Sequence, residues 1–404
     1  MSNVIINIQK GGLGRQSANT DTWGGKFVEV DTLPAGWVEN EVKKIYKDTD
    51  LEAYGIKEDS VNDYYKLVFL HTSEFFRINA NGTLFLQLAT TTDDKHLPAT
   101  VFEAFHNHNQ ANNVLNFAYI SSSLKLTTAN VESVQTEFNN LVPKIQPAFC
   151  IITLKADDVA GTIPDFSTAS NFRCLVDVAN DLTENGLAKA VFDSLGMCGA
   201  GGFLLGLSTL AKVHQEISWT KFIVNGGGRW QKIGDIFGLS VEDKTDTEIA
   251  AYGTQGVVLM KRIKRDSNVY VSSSRMAGKI TDDYAILPHV RTINKAIVLA
   301  YDALLPRFNA PVYVNPKDGK LSVSTVSYLE RLVYDAINNN MILDKAGDNV
   351  ELSISNGNLP LESVYINPSQ NVLVTENVNV ELNLVPVGSS KTFTINIGLV
   401  PKLS

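Results

Sequence analysis

The chain has 404 residues, 43 acidic against 35 basic side chains, a formal net charge of −8 and an apolar fraction of 44 %. That length exceeds one ordinary core, so two or three domains are expected, and the apolar share is that of a globular protein. The acidic balance argues against broad nucleic-acid binding. The densest basic run, Lys261-Arg262-Ile263-Lys264-Arg265, reads as a solvated strand end.

Cys150, Cys174 and Cys198 are the cysteines. They make no disulfide framework and no Cys/His zinc pattern. Met1-Ser2-Asn3 does not open a signal peptide, and no apolar run reaches the roughly eighteen residues of a membrane span. Synthesis in a reducing cytoplasm is expected.

Residues 3–9 alternate, with Val4, Ile6 and Ile8 in one row, and predict a strand. Gly11, Gly12 and Gly14 follow as a hinge. Residues 10–35 read as irregular, with turns at Trp23-Gly24-Gly25 and Leu33-Pro34-Ala35-Gly36-Trp37. Residues 66–70 and 83–88 read as strands flanking a short helix or turn near 72–79, and Asn81-Gly82 supplies a turn. Pro98 opens a helix to about Asn109. A strand at 115–120 follows, then a helix at 129–142 with Val131, Val134, Phe138 and Leu141 on one face. Residues 148–154 form a nearly continuous apolar strand. This order of elements implies an α/β unit on a partly buried sheet.

A further strand is expected at 175–178, a helix at 186–195, and then the glycine-rich stretch 196–202 before an apolar helical run from Phe203 to about Val213. Residues 215–237 read as loop, 242–252 as a short helix, and 256–274 as strands and turns. A long helix spans 286–308, with Ile293, Ile297, Ala300, Leu304 and Leu305 at helical spacing, until Pro306 interrupts it. A second helix at 325–338 buries Val326, Leu329, Leu332, Val333, Ala336 and Ile337, capped by Ser324 or Thr325. Strands are expected at 350–354, 361–366, 371–384 and 391–399. The last puts Phe393, Ile395, Ile397 and Leu399 in one row, after a hinge at Gly388-Ser389-Ser390.

The predicted fold is multidomain, α/β and α+β. Residues 1–39 are an N-terminal arm and linker, 40–185 a variable α/β domain, and 186–404 a module of long helices packed on an antiparallel sheet.

The chemical signals are thin. Gly11-Gly12-Leu13-Gly14 is not followed by Gly-Lys-Ser/Thr or by a helix, so it is no phosphate loop. The glycines of 196–202 lack the dinucleotide register and suit a hinge or close packing. His106 and His108 do not share a helix face. His71, Ser73, Asp93 and Asp94 are the residues a hydrolase would use, but no Gly-x-Ser-x-Gly elbow sharpens the serine. Asp282-Asp283 reads as a solvated turn. No catalytic residue, metal site or cofactor is assigned.

From about residue 190 onward the order of motifs resembles the contractile tail sheath proteins of bacteriophages and phage-like injection systems. The order runs from the glycine-rich stretch to Lys212-Val213-His214-Gln215-Glu216-Ile217-Ser218-Trp219, then Gly253-Thr254-Gln255-Gly256 before an apolar strand. Asn268-Val269-Tyr270-Val271, Asp282-Asp283-Tyr284 and the helix beginning His289-Val290-Arg291-Thr292-Ile293-Asn294 follow. Ser273-Ser274-Arg275-Met276 matches the family's "G-x-R-T" stretch only loosely.

The resemblance implies a non-enzymatic subunit that polymerises helically around an inner tube, with terminal arms completing sheets on neighbouring copies. Val4, Ile6, Ile8, Gly11, Gly12, Phe393, Ile395, Ile397 and Leu399 are then interface residues. The competing expectation is that both terminal strands close the parent domain's own sheet. Implied partners are copies of the chain, an inner tail tube protein, and baseplate and terminator proteins, without membrane insertion or direct nucleic-acid contact. The implied location is a virion tail or phage-like particle assembled in the bacterial host cytoplasm. Alternatives are another virion part, such as a baseplate or tube-associated protein, or a hydrolase on the α/β region.

Overall fold

The computed structural model describes residues 20–109, 114–144, 146–157, 162–170, 173–263, 265–341 and 361–388. Its first half runs β1 (Trp23–Val30), β2 (Val42–Ile45), α1 (Asp63–Ile78), β3 (Thr83–Thr90), α2 (Pro98–Asn109), β4 (Asn116–Lys125), α3 (Thr128–Leu141), β5 (Phe149–Lys155), β6 (Cys174–Asp177) and β7 (Ala179–Asp181). There follow α4 (Leu187–Leu195), α5 (Gly201–Leu210), β8 (Ile233–Asp235), α6 (Asp246–Thr254), β9 (Val257–Val258), β10 (Met260–Arg262) and β11 (Val269–Val271). The last third contains α7 (Leu287–Leu304), α8 (Val323–Met341), β12 (Leu361–Tyr365), α9 (Val372–Thr375) and β13 (Glu381–Leu384).

Seven of the described strands form one sheet in the order β2-β3-β1-β4-β5-β6-β9. β2 runs antiparallel to β3, and the remaining neighbours are parallel. Parallel strands need crossovers, and α1, α2 and α3 supply them between β1 and β5. The sheet is therefore covered on both faces, and β1, β3, β4, β5 and β6 are buried along nearly their whole length.

Central β1 overturns the expectation that residues 10–35 are irregular, at least over 23–30. Gly24-Gly25 is not a turn but the start of this strand. Successive residues of a strand face opposite sides. A Cβ on Gly24 would press on Phe75 of α1 and Leu205 of α5, at 3.0 and 3.1 Å. One on Gly25 would lie 2.4 Å from Phe117 and 2.8 Å from Phe105 of α2. Glycine is there to admit aromatic side chains from both layers.

The strand expected at 66–70 is also corrected, since it lies inside α1. Asn62 caps this helix, its side-chain oxygen accepting from the amides of Tyr64 and Tyr65 at 2.8 and 3.3 Å. Five apolar residues in a row do not distinguish a strand from a buried helix; the cap does.

β1, from before residue 40, and β9, from after residue 185, both join the large sheet. One hydrophobic cluster runs from Phe27 to Val290. Two smaller clusters lie beyond it, one around Ala296, Leu299, Val333, Ile337 and Met341, the other around Leu321, Val326, Leu329 and Ile366. Helix α7 belongs to both worlds: Leu287 and Val290 sit in the main core, Ala296 and Leu299 in the second.

In the C-terminal module α7 and α8 pack together and α8 lies on the antiparallel pair β12–β13. The expected cap of the second helix moves to Ser322, whose hydroxyl accepts from the amide of Thr325 at 3.2 Å. The single strand expected at 371–384 is divided into α9 and β13, with Glu376 in the left-handed region at φ 55° between them. The strands expected at 3–9, 350–354 and 391–399 lie outside the described residues.

Candidate functional site

The four residues offered for a hydrolase are not assembled. His71 is buried in α1, where its Nδ1 accepts from the amide of Gly202 at 3.0 Å. That bond leaves the proton on Nε2, which has no partner among the described residues. Burial is the main force holding the His71 pKa down at about 3. Ser73 donates to the carbonyl of Leu70 at 3.0 Å and receives a hydrogen bond from Arg229 at 3.1 Å. Asp93 and Asp94 occupy an exposed turn after β3 with φ of 51° and 58°. A buried neutral imidazole, an inward-bonded serine and two solvated carboxylates form no reacting centre.

The glycine-rich stretch is a packing device. Asn180 accepts from the amides of Cys198 and Gly199 at 3.2 and 2.7 Å. Asp177, at the end of β6, accepts from the amide of Ala200 at 2.6 Å and from Thr153 Oγ1 at 2.8 Å, placing a carboxylate at the start of α5. Burial pushes the Asp177 pKa up to about 6, against those hydrogen bonds. Lys26, in the middle of β1, is fully buried with Nζ donating to Thr72 Oγ1 at 2.6 Å. Burial holds its pKa well below the usual lysine range.

Helix α7 is bolted to the main body by charged side chains. Arg291 donates to the carbonyls of Ala211 and Lys212 at 2.8 and 2.9 Å, capping the chain as it leaves α5. Arg173 bonds Asn294 and Tyr284 and lies over the Tyr284 ring, 4.7 Å from its centre. Lys295 pairs with Asp21 at 2.8 Å. The arginine of the motif His289-Val290-Arg291 therefore has a structural job.

The surface beyond these bolts is rich in apolar side chains. A groove of about 1080 Å³ runs between the 308–314 loop, α8 and α9. Phe308, Tyr313, Tyr328 and Leu373 line it, with 45–76 % of their surface exposed. A second groove of about 500 Å³ lies between α7 and the β13 segment, bounded by His289, Ile293, Leu382 and Leu384. Among the described residues β13 pairs only with β12. Composition gave no sign of either groove, because their walls come from segments separated in the sequence.

Val4, Ile6, Ile8, Gly11, Gly12, Phe393, Ile395, Ile397 and Leu399, the expected interface residues, lie outside the described residues. Among the described residues no group of three or more His, Cys, Asp or Glu is placed to hold a metal ion, and no helix is long and apolar enough to cross a membrane.

A family model described as the C-terminal domain of DUF2586 matches residues 283–404, starting just before α7. No curated protein matches the chain. Solved structures match it along nearly its entire length. The contracted helical sheath of the anti-feeding prophage is similar with a TM-score of 0.60 at 11 % identity, covering 98 % of this chain and 99 % of that one. A chain in the sixfold-symmetrised baseplate structure of the same prophage gives 0.61 at 12 % identity, with 99 % of each covered. The sheath tail protein Lin1278 of Listeria innocua gives 0.53 at 10 % identity, covering 91 % and 92 %. From the seven-stranded sheet to the helical C-terminal module, the chain has the fold of the phage-like tail sheath proteins.

Proposed function

We propose that the chain is the repeating structural subunit of a contractile tail sheath, assembling helically around an inner tube made by another protein. One observation carries this reading: the fold of a contracted helical sheath is matched over 98 % of this chain and 99 % of that one. Open, non-closing contacts between identical copies build such a filament. The exposed apolar groove is the kind of surface those contacts use.

In this reading the terminal rows, Val4, Ile6, Ile8 and Phe393, Ile395, Ile397, Leu399, leave the subunit and complete sheets on neighbouring copies. The covered sheet moves as a rigid body during contraction while the arms keep copies linked. Baseplate and terminator proteins meet the two ends of the filament, and the particle forms in the host cytoplasm. No catalytic step is required.

Deleting residues 1–9 or 391–404 tests the arms. The expected result is a folded chain, by circular dichroism and a cooperative melt, that no longer forms tubes. Loss of folding would mean that the strands are internal. The similarity to a chain of the baseplate structure favours one second reading, a sheath-like protein stationed at the baseplate. Such a protein would form rings rather than long tubes.

A further inference from the structure

A cleft of about 420 Å³ opens between α1 and the turn that precedes β8. The turn is Gly226-Gly227-Gly228, with φ of 58° and 77° at its last two residues, and it folds back so that the Arg229 amide donates to the Gly226 carbonyl at 3.0 Å. Arg229 is thereby laid against α1. Its Nη2 donates to Ser73 Oγ at 3.1 Å, and its Nε lies 3.3 Å from Glu74 Oε1.

Glu74 is already occupied. Arg77 grips it with Nε and Nη2 at 2.9 and 2.7 Å, and Trp230 Nε1 donates to it at 3.0 Å. One buried carboxylate thus serves two guanidinium groups. Nη1 of Arg229 is buried and has no hydrogen-bond partner among the described residues. A buried charged donor without an acceptor bears its full desolvation cost. Lys47 and Asp48 complete the charged lining, so Lys47, Arg77 and Arg229 line the cleft with Asp48, while the shared Glu74 does not line it. Asp181 accepts from the Trp230 and Thr183 amides at 2.9 and 3.0 Å and does not line the cleft.

The geometry points to an oxyanion site: a carboxylate or phosphate group held between the guanidinium groups of Arg77 and Arg229, with Lys47 at the rim. Arg77 also donates from Nη2 to the Val224 carbonyl at 2.9 Å, so the anion is met by the N–H groups that Glu74, Ser73 and Val224 leave over, each a charge-assisted contact. Two sources supply that chemistry, free phosphate in solution and an acidic side chain on a second copy of this acid-rich chain.

The full-length protein is titrated calorimetrically with sodium phosphate, against sodium chloride at matched ionic strength. Saturable binding is expected, weakened about tenfold in Arg229→Gln, the loss of one charge-assisted contact, and less in Lys47→Gln. Lys47 lies on the surface, so that variant carries the test should Arg229→Gln fail to fold. Sedimentation velocity in the same buffers separates the sources. Association at low salt that phosphate reverses, and that Arg229→Gln or Lys47→Gln weakens, identifies a second copy as the anion; saturable binding without association identifies free phosphate. No saturable binding together with association indifferent to either variant overturns the site, as does binding unchanged in both variants.

Discussion

Gly202 of α5 rests directly on the backbone of His71 in α1. A Cβ at Gly202 would stand 2.1 Å from the His71 carbonyl oxygen, and the Gly202 amide donates to the His71 ring at 3.0 Å. Four residues on, a Cβ at Gly206 would meet the Phe75 carbonyl oxygen at 2.7 Å. The two glycines form one shallow face, and α1 lies in it.

That contact predicts an unusually sensitive helix pair. Because backbone, not a flexible side-chain end, occupies the space, Gly202→Ala must push α1 and α5 apart. A loss of about 2–4 kcal/mol is expected in urea unfolding. Gly227→Ala, at an exposed turn with open space around it, should lose about 1–2 kcal/mol through its positive φ alone. Equal losses at both positions would contradict the close helix contact.

His71 makes stability depend on pH. Its folded pKa of about 3 lies below the unfolded value of 6.5. Between those values the unfolded chain takes up a proton that the native state refuses, so stability is lost as pH falls from 6.5 towards 3. Asp177 works in the opposite sense. Its folded pKa is raised from 3.8 to about 6, so acidification through that interval favours the native state. The two slopes offset one another between about pH 6 and 4. His71→Gln removes only the first. Relative to the wild type it should gain about 1.4 kcal/mol per pH unit on acidification below 6.5, read from denaturation curves across that range. A difference independent of pH would mean that His71 titrates normally.

Lys26 is a buried amine whose pKa is driven down by desolvation. The unfolded chain binds that proton more readily, so the native state is penalised below the ordinary lysine pKa and loses more as pH falls. Lys26→Met keeps the volume and removes the penalty. Thr72 still donates to the Val68 carbonyl at 2.8 Å, so no hydroxyl is stranded. A gain of about 1–3 kcal/mol at pH 7 is expected in chemical denaturation. A clear loss would show that the Lys26–Thr72 hydrogen bond outweighs the burial.

Much of the α/β body was legible in the sequence. The alternating face of α3 and the continuous apolar run of β5 each reflect burial that their own residues announce. Gly24 and Gly25 misled because a glycine pair reads locally as a turn, whereas Phe75, Leu205, Phe105 and Phe117 require it from far along the chain. The 66–70 run misled because Asn62, the residue that decides for helix, lies outside it. The expected interface rows fall outside the described residues, and the basic cleft joins Arg77 to Arg229 only through the fold. His71 and Ser73 stood close in sequence, yet the helix that carries them turns the imidazole into the core.

The most direct measurement is negative-stain electron microscopy of the purified full-length chain at high concentration across a range of salt. Helically ordered tubes, built by the chain without a second protein, are the predicted result. A folded protein that stays monomeric under every condition would contradict a sheath subunit.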